Sequence, residues 1–496
     1  MGIANKPIVE YEDGFRLENL DLPARPWGPM YVSGLIILLV IATCIYLVNN
    51  SSVAPASFLS ETIIILLMMA VIFMYKLMQE KPVNWFTPDI IFMSIFVVFH
   101  FGYIILYAFG MVAYDEEVFW APSKVHKAVL FSLYCLVLFL LGYEFAGSRR
   151  KESNLGFLPS IPQVPLAISA ILIVGSFIMF WIPFLRGGFG ALTTQYNSLI
   201  NLGNRFSAVS LNIAAVGFAL YCASSVLLFH KALYGITKYI IIVFVTGILI
   251  TGDRGGFIYL ASIPFVAYYY FQRKIKIIST VAIVLLLFFV MAVVGVARTL
   301  IILNVTEMYK TYQTSEAGGK TNAVVHSLAE FGASIKTVVI AMDLVPSHND
   351  YWKGKSYLYS VQYVMPNILP GATRVAGAST SPAVWLTETI FGSIAETWGR
   401  GGSIAMEAYV NFGCILGAMT FLALGWMYRI LYEKVLTRPN LFNITLFLGA
   451  ISALVYWIRQ TSILFTRTFV WALIVAYLVN RFFCNQEPSG ADYETS

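Results

Sequence analysis

The sequence predicts an all-α, polytopic integral membrane protein with about 12 transmembrane helices. Of its 496 residues, 58% are hydrophobic and only 12% are charged, whereas a soluble domain carries about twice that charged fraction. Several apolar stretches of about 20 residues are each long enough to cross a hydrocarbon core as a helix. These stretches, such as 30–49, are continuously apolar, so they favour helices over the alternating strands of a membrane barrel.

The predicted helices fall into two groups on either side of one long, mostly polar segment. Nine lie within 30–296 and three within 403–482. The predicted spans are 30–49, 57–78, 88–112, 127–146, 163–185, 207–229, 235–251, 257–271, 277–296, 403–428, 441–458 and 463–481. The segment between the groups, 297–402, is rich in aromatic residues, and connections of this length usually carry function. Within it, the helical spacing of apolar residues over 323–345 predicts one helix on or in the membrane surface.

The basic residues predict the orientation of the chain in the membrane. With the N-terminus inside, the short inner segments hold seventeen lysines and arginines, and the short outer loops hold five. Because positive charge accumulates on the cytoplasmic side, the two tails, 1–29 and 483–496, are predicted to be cytoplasmic. The segment 297–402 is then a periplasmic loop. The net charge of +6 follows from this topology and does not indicate a nucleic-acid-binding surface.

Three Arg-Gly-Gly runs, at 186–188, 254–256 and 400–402, fall on the predicted outer boundary of the membrane. A guanidinium binds phosphate oxygens through a planar fork of donors, and the glycines let backbone N–H groups approach an anion. Further arginines at or within helix ends, where charge is costly, are Arg298, Arg459 and Arg467. As a set, these arginines predict a phosphate or pyrophosphate ligand. For any single one, a glycine turn beside an arginine that reaches the lipid headgroups is the alternative explanation.

No metal site and no cofactor are predicted. The sequence contains no DxD pair for a metal-bound nucleotide sugar, no P-loop and no HExxH motif. The five cysteines are scattered without a CxxC pair, so neither a zinc site nor a disulfide framework is indicated. If a diphosphate is bound, arginines are expected to neutralise it.

Several residues are candidates for proton transfer, to which a positioned base contributes about 100- to 10,000-fold in rate. They are His326, Glu330, His348, Asp350, Glu388, Glu396 and Glu407. His326 and Glu330 are four residues apart and would share a helix face. Glu407 lies one turn into a membrane helix, where an ionised carboxylate needs a partner. Arg400 or Arg459 is the candidate partner, and a purely structural ion pair would explain Glu407 equally well.

A series of short motifs follows in order over about 250–430. They are Thr251–Gly256, Arg298, Glu330–Gly332, Tyr351–Tyr357, Pro366, Met406–Gly413, Gly417 and Gly425. Together with the layout of many helices, then a large outer loop before the last three, this series resembles the Wzy-type O-antigen and repeat-unit polysaccharide polymerases. Over the first 250 residues the resemblance is one of hydropathy alone.

The resemblance implies a GT-C-like membrane glycosyltransferase in a bacterial inner membrane, without a cofactor. Such an enzyme polymerises repeat units linked to undecaprenyl diphosphate into O-antigen, capsular polysaccharide or exopolysaccharide, with a Wzz-like co-polymerase as a partner. The diphosphate would be bound by Arg254, Arg298, Arg400 and Arg459. The base or orienting group would be Glu330, Glu407 or His326. Sugar rings would stack on Tyr351, Trp352, Tyr357, Trp385 and Trp398, although an interfacial belt of aromatic residues has the same composition.

Other functions stay open at this point. An O-antigen ligase uses the same donor and the same loop layout but transfers the glycan to the lipid A core. A flippase or secondary transporter of lipid-linked sugars would need charged residues at mid-membrane and broken helices in both halves. An assembly anchor without catalysis is a third alternative. The clustering of charges at one face and the size of the loop favour the polymerase.

Overall fold

Every described element of the computed structural model is a helix. The structure describes residues 28–49, 54–79, 85–112, 122–147, 161–187, 196–229, 235–250, 253–271, 323–366, 380–391 and 401–484, and no strand occurs within these ranges. In chain order the helices are α1 (Gly28–Asn49), α2 (Pro55–Gln79), α3 (Pro88–Ala108), α4 (Pro122–Phe145), α5 (Val164–Gly187), α6 (Tyr196–Phe229), α7 (Thr237–Ile250), α8 (Arg254–Phe271), α9 (Ala323–Gly332), α10 (Ser334–Leu344), α11 (Lys355–Gln362), α12 (Pro382–Phe391), α13 (Ile404–Thr437), α14 (Leu441–Trp457) and α15 (Ser462–Val479).

Eight of these helices, α1 to α6 together with α13 and α15, are long and apolar enough to cross a membrane. Helices α7, α8 and α14 are apolar but shorter. All of them coincide with predicted spans, which confirms a multi-pass helical membrane protein. The predicted ninth span, 277–296, lies outside the described residues. The total of about 12 spans, the domain boundaries and the orientation therefore stay predictions.

The closest helix crossing described joins α4 to α13. A Cβ atom added to Gly142 of α4 would clash with the backbone of Leu422, and one added to Gly425 would clash with the backbone of Phe139. Small residues allow membrane helices to approach until their backbones touch, which maximises van der Waals contact where lipid offers no hydrophobic driving force. Gly425, one of the motif residues, is therefore a packing residue of this crossing.

The sequence supplies the caps that start α13 and α14. The Ser403 Oγ accepts a hydrogen bond from Met406 N at 3.0 Å and caps α13. The Asn440 side chain accepts one from Asn443 N at 2.8 Å and caps α14 in the same way. Because the start of α13 is fixed by its cap, the position of Glu407 one turn later is fixed as well.

The segment 323–345 differs from its prediction, because it forms two helices, α9 and α10, that meet at Ala333. At the end of α9, a Cβ atom added to Gly332 would clash with the backbone of Tyr103, so α9 lies directly against α3. Helix α10 packs on α3, α4 and α13, and eight of its residues are buried. Helix α9 ends at Gly332 against α3, so the segment is two helices in place of the one that the sequence predicts.

Four other ionisable residues within the apolar spans form two buried polar pairs. The Lys76 Nζ lies 3.0 Å from the Asp89 Oδ2, and the His126 Nδ1 lies 2.7 Å from the Glu61 Oε1. All four side chains are almost fully buried. Pairing offsets part of the cost of removing such groups from water. These pairs join α2 to α3 and α4.

Candidate functional site

Helix α13 is interrupted at Gly413, nine residues after its start. The Gly413 backbone has φ 72° and ψ −165°, a conformation that only glycine adopts at low cost. The interruption brings Gly417 against an earlier part of the same helix. A Cβ atom added to Gly417 would lie 2.8 Å from the Ala408 carbonyl oxygen. Two glycines of the Met406–Gly425 motif series therefore serve a break in a membrane helix.

Segment 351–357 docks on this break. The Trp352 N–H donates to the Val410 carbonyl at 3.0 Å, and the Lys353 N–H donates to the Asn411 carbonyl at 2.9 Å. An interrupted helix leaves carbonyl groups without helical partners, and the loop backbone satisfies two of them. Two motifs that are far apart in the sequence thus form one unit.

Aromatic side chains seal the contact between the loop and α13. The Tyr351 ring lies against Gly413, where an added Cβ atom would be 3.2 Å from the ring. The Tyr357 ring stacks on Phe412 with a centroid separation of 5.9 Å and an interplanar angle of 16°. Of the predicted sugar-binding residues, Tyr357 therefore has one face against protein. Tyr351 and Trp352 are half-buried at the edge of the unit.

The carboxylate of Glu407 lies at the centre of the unit and is fully buried. Its Oε1 accepts hydrogen bonds from the Ser356 and Ser462 hydroxyls, both at 2.7 Å. Its Oε2 accepts from the Ser462 backbone N–H at 2.7 Å and from the Trp457 indole N–H at 3.0 Å. A carboxylate offers about four acceptor positions, and these four donors use them.

The donors to Glu407 come from three separate elements, so one side chain joins the outer loop to the membrane helices. Ser356 belongs to α11, Trp457 ends α14 and Ser462 begins α15. The Asn411 amide donates to the Ser356 hydroxyl at 2.8 Å, which leaves that hydroxyl's own proton for Glu407. Among the described residues the partners of Glu407 are neutral donors and do not include Arg459, and Arg400, the other expected partner, lies outside the described residues.

The end of α14 and the turn that follows it, residues 458–461, contact two of the Arg-Gly-Gly runs. An added Cβ atom on Gly255 would lie 3.2 Å from the Tyr456 ring, and one on Gly402 would lie 3.2 Å from the Thr461 methyl group. Gly401, at φ +73°, lies beside the Arg459 carbonyl oxygen. The glycines of the runs at 254–256 and 400–402 therefore lie against the end of α14 and the turn that follows it.

Arg459 projects from this turn onto two aromatic rings. Its guanidinium carbon lies 5.1 Å from the centroid of Phe331 and 5.7 Å from that of Phe99. Stacking on ring faces fixes the plane of the guanidinium. Phe331 is the neighbour of Glu330 in α9, so the arginine lies over the helix that carries this half-exposed carboxylate. His326 lies one turn earlier in the same helix.

The remaining predicted residues are described only in part or not at all. Arg254 is the first residue of α8, and its side chain is outside the described part of the structure. At this helix start the Asp253 carboxylate accepts from Gly256 N at 2.9 Å, so this N–H already has an anionic partner. Residues outside the described ranges are Arg298, Trp398 and Arg400.

Sequence reasoning missed the residues that hold the outer loop on α15. The Arg467 Nε–H donates to the Tyr363 carbonyl at 2.7 Å, and the Trp471 indole donates to the Val364 carbonyl at 2.8 Å. The sequence shows that Arg467 lies within a predicted helix, where charge is costly. It cannot show that the partner of Arg467 is a backbone carbonyl group. Ser356 lies within a motif, although nothing in its spacing marked it as a donor to Glu407.

Replacing Gly413 by alanine is expected to destabilise the protein by about 1–3 kcal/mol, because alanine is strained in this backbone conformation and its methyl group would press on Tyr351. Thermal unfolding measures the loss, and the amide protons of Trp352 and Lys353 should exchange faster with deuterium. Gly175→Ala is the matched control, since nothing lies within 4 Å of a Cβ atom there. Equal unfolding temperatures for the two variants would contradict the docking described above.

Comparison with known proteins extends the assignment to nearly the whole chain. The sequence model of the family described as O-antigen polysaccharide polymerase Wzy matches residues 31–486. No curated protein and no solved structure matches the chain. The family match includes residues 31–250, for which the motifs offered no support. The chain belongs to the Wzy family of O-antigen polysaccharide polymerases, multi-pass membrane proteins that polymerise lipid-linked O-antigen repeat units.

Proposed function

We propose that the protein transfers a growing glycan from undecaprenyl diphosphate to a newly delivered lipid-linked repeat unit, on the outer side of the inner membrane and without a metal ion. One observation supports this most strongly. The loop segment 351–357, with its aromatic residues, docks on α13 beside the turn that carries Arg459. Candidate groups for binding sugar and for binding diphosphate thus lie at the same end of the helix bundle.

In this proposal Arg459 binds the diphosphate and stabilises the negative charge that develops as the diphosphate departs. Its stacking on Phe331 and Phe99 supports this role, because a guanidinium held in one plane loses less freedom when it binds phosphate oxygens bidentately. The other arginines proposed for the clamp are Arg254, Arg298 and Arg400. The glycines of two Arg-Gly-Gly runs lie against the end of α14 and the turn that follows it, which supports Arg254 and Arg400.

Among the candidate bases, the surroundings favour Glu330 over Glu407. Glu330 is half-buried and is next in the chain to Phe331, over whose ring the Arg459 guanidinium lies. Glu407 is fully buried with its acceptor positions occupied, so we assign it a positioning role that holds α11 and the turn together. His326, one turn before Glu330, is the second candidate base. Sugar rings would stack on Tyr351, Trp352 and Trp398, with Tyr357 as support.

We also propose the range of products, a partner protein and the orientation in the membrane. Polymers of the capsular or exopolysaccharide type are included with O-antigen, because the same donor chemistry makes all of them. A Wzz-like co-polymerase would set the chain length. Both termini would be cytoplasmic, with 297–402 in the periplasm, since the inner segments hold most of the basic residues of the short loops.

Deletion of the gene, followed by gel and mass-spectrometric analysis of the surface glycan, tests the reaction. Surface glycans with a single repeat unit are expected, and wild-type protein should restore the ladder while Arg254→Ala or Arg298→Ala should not. Arg438→Ala, at an exposed position after α13, is the matched control and should restore it. Long lipid-linked polymer that never reaches its acceptor would instead indicate a ligase, and single repeats on the cytoplasmic leaflet would indicate a flippase.

Purified protein tests the donor and the independence from metal. Repeat units linked to undecaprenyl diphosphate should form a ladder in the presence of EDTA, and units linked to undecaprenyl monophosphate should not. Activity that disappears with EDTA and returns with Mg²⁺ would overturn the metal-free mechanism. Equal use of the monophosphate would overturn the arginine clamp.

A further inference from the structure

Helix α11, within the outer loop, has both of its serine side chains turned inward. Ser356 and Ser360 are 1% and 2% exposed. The Ser356 hydroxyl donates to Glu407, and the Ser360 hydroxyl lies 2.9 Å from the Thr466 hydroxyl of α15. The face of α11 that contacts the protein is therefore hydrogen-bonded.

The opposite face of α11 is uncovered and presents three large apolar side chains, with Lys355 at its start and Gln362 beside them. Leu358 is 67% exposed, Val361 is 59% exposed, and Met365, just beyond the helix, is 58% exposed. Their spacing of three and then four residues places them on one side of a helix. A helix at a water-exposed surface has the reverse arrangement, with apolar residues inward and polar residues outward. The arrangement of α11 is suited to hydrocarbon on its outer side.

Helix α11 lies beside a candidate membrane span. The residues that follow the helix are attached to α15 through Arg467 and Trp471, whose side chains donate to the Tyr363 and Val364 carbonyls. Helix α15 is a candidate membrane span, and farther along it Ile474 is among the exposed apolar residues. The apolar face of α11 is thus joined to a helix that itself presents apolar side chains to lipid.

The start of α11 has the residues of a membrane–water boundary. Lys353 and Lys355 are exposed, and the Lys355 Nζ lies 5.9 Å from the centroid of the Trp352 ring. Lysine and tryptophan commonly occupy the level of the lipid headgroups, where a charged tip stays in water and an apolar body enters the membrane. The helix then leads from this level into the apolar region.

We propose that α11 is embedded in the outer leaflet, with Leu358, Val361 and Met365 in contact with phospholipid acyl chains. The sequence predicts a membrane-surface helix at 323–345. In the structure, protein covers α10 within that segment, and α11 has the exposed apolar residues. The other face of α11 contacts Glu407 through Ser356. Among the described elements, α11 therefore lies between that carboxylate and the leaflet. A lipid-borne substrate would reach the site sideways, past α11.

Spin labels test this placement in the full-length protein, reconstituted in phospholipid nanodiscs and carrying no other cysteine. Labels at positions 358 and 361 should be more accessible to O₂ than to a water-soluble nickel complex, like a label at Ile474. A label at Lys353 is the matched control and should be accessible to nickel. Nickel accessibility at 358 equal to that at 353 would place α11 in water and overturn the proposal. Protection from both reagents would mean that protein covers this face, which would overturn it as well.

A second measurement avoids replacing the native cysteines. A photoreactive phenylalanine analogue at position 358 of the otherwise wild-type chain should form adducts with phospholipid on illumination, and the same analogue at position 353 should not. Cross-linked dimers in place of lipid adducts would overturn the proposal in favour of a second copy on this face. Neither readout requires polymerisation, so failure here is separable from failure of the proposed chemistry.

Discussion

Replacing Arg459 by alanine is expected to lower the rate of repeat-unit polymerisation about 100- to 1,000-fold, the effect of removing one donor that stabilises developing charge. The loss should fall mainly on kcat, because the arginine is proposed to act on the departing diphosphate. Stability should change little, since Arg459 is half-exposed and its stacking on Phe331 and Phe99 is worth about 1 kcal/mol. Initial rates with purified protein and a thermal unfolding curve measure both quantities.

Two further variants make this result specific to the guanidinium. Arg459→Lys keeps the positive charge but loses the planar fork, so it should recover only part of the activity. Arg438→Ala removes an exposed arginine after α13 and should leave the rate unchanged. If Arg459→Ala and Arg438→Ala polymerise equally fast, the diphosphate is bound elsewhere.

Replacing Glu407 by alanine is expected to abolish the glycan ladder and to destabilise the protein by about 3 kcal/mol or more. Each buried donor left without its acceptor costs about 1–3 kcal/mol, and this carboxylate accepts from Ser356, Trp457 and Ser462. With the carboxylate gone, α11 and the turn that carries Arg459 lose their common anchor. Thermal unfolding and the glycan ladder report the two effects.

Glu407→Gln separates positioning from proton transfer. The amide oxygen can accept from Trp457 and the Ser462 backbone, and the amide NH₂ can donate to the serine hydroxyls, whose protons rotate. Near-wild-type stability is expected, with a rate within about tenfold of wild type and an unchanged pH profile, because a positioning residue does not take the proton. A stable glutamine variant as inactive as the alanine variant would identify Glu407 as the base.

The helices could be predicted from the sequence because apolar content alone determines which segments enter a membrane. The span predicted at 441–458 is observed at Leu441–Trp457, for example. The Arg-Gly-Gly runs are predicted at one boundary of the membrane, and the glycines of two of them lie near the same end of α14. At 323–345 the helical period was correct, but it could not show the backbone contact of Gly332 with α3, which decides where that helix ends.

The partners of Glu407 could not be predicted, because they depend on contacts between residues about fifty positions apart. Serine and tryptophan are common in such chains, and no spacing distinguishes Ser356 or Ser462 from other serines. An arginine was the expected partner because opposite charge is the simplest way to stabilise a buried carboxylate. Four neutral donors achieve the same result, and only the fold brings them together.

The docking of the loop on α13 has a consequence for how such an enzyme changes its specificity. The contact relies on the main-chain N–H groups of Trp352 and Lys353, which every residue except proline possesses. Their side chains are therefore exchangeable without loss of the attachment, whereas Gly413 is not. In such a polymerase, positions 352 and 353 are the place to vary side chains when a different sugar is to be accepted, while Ser356, which donates to Glu407, and Gly413 are kept.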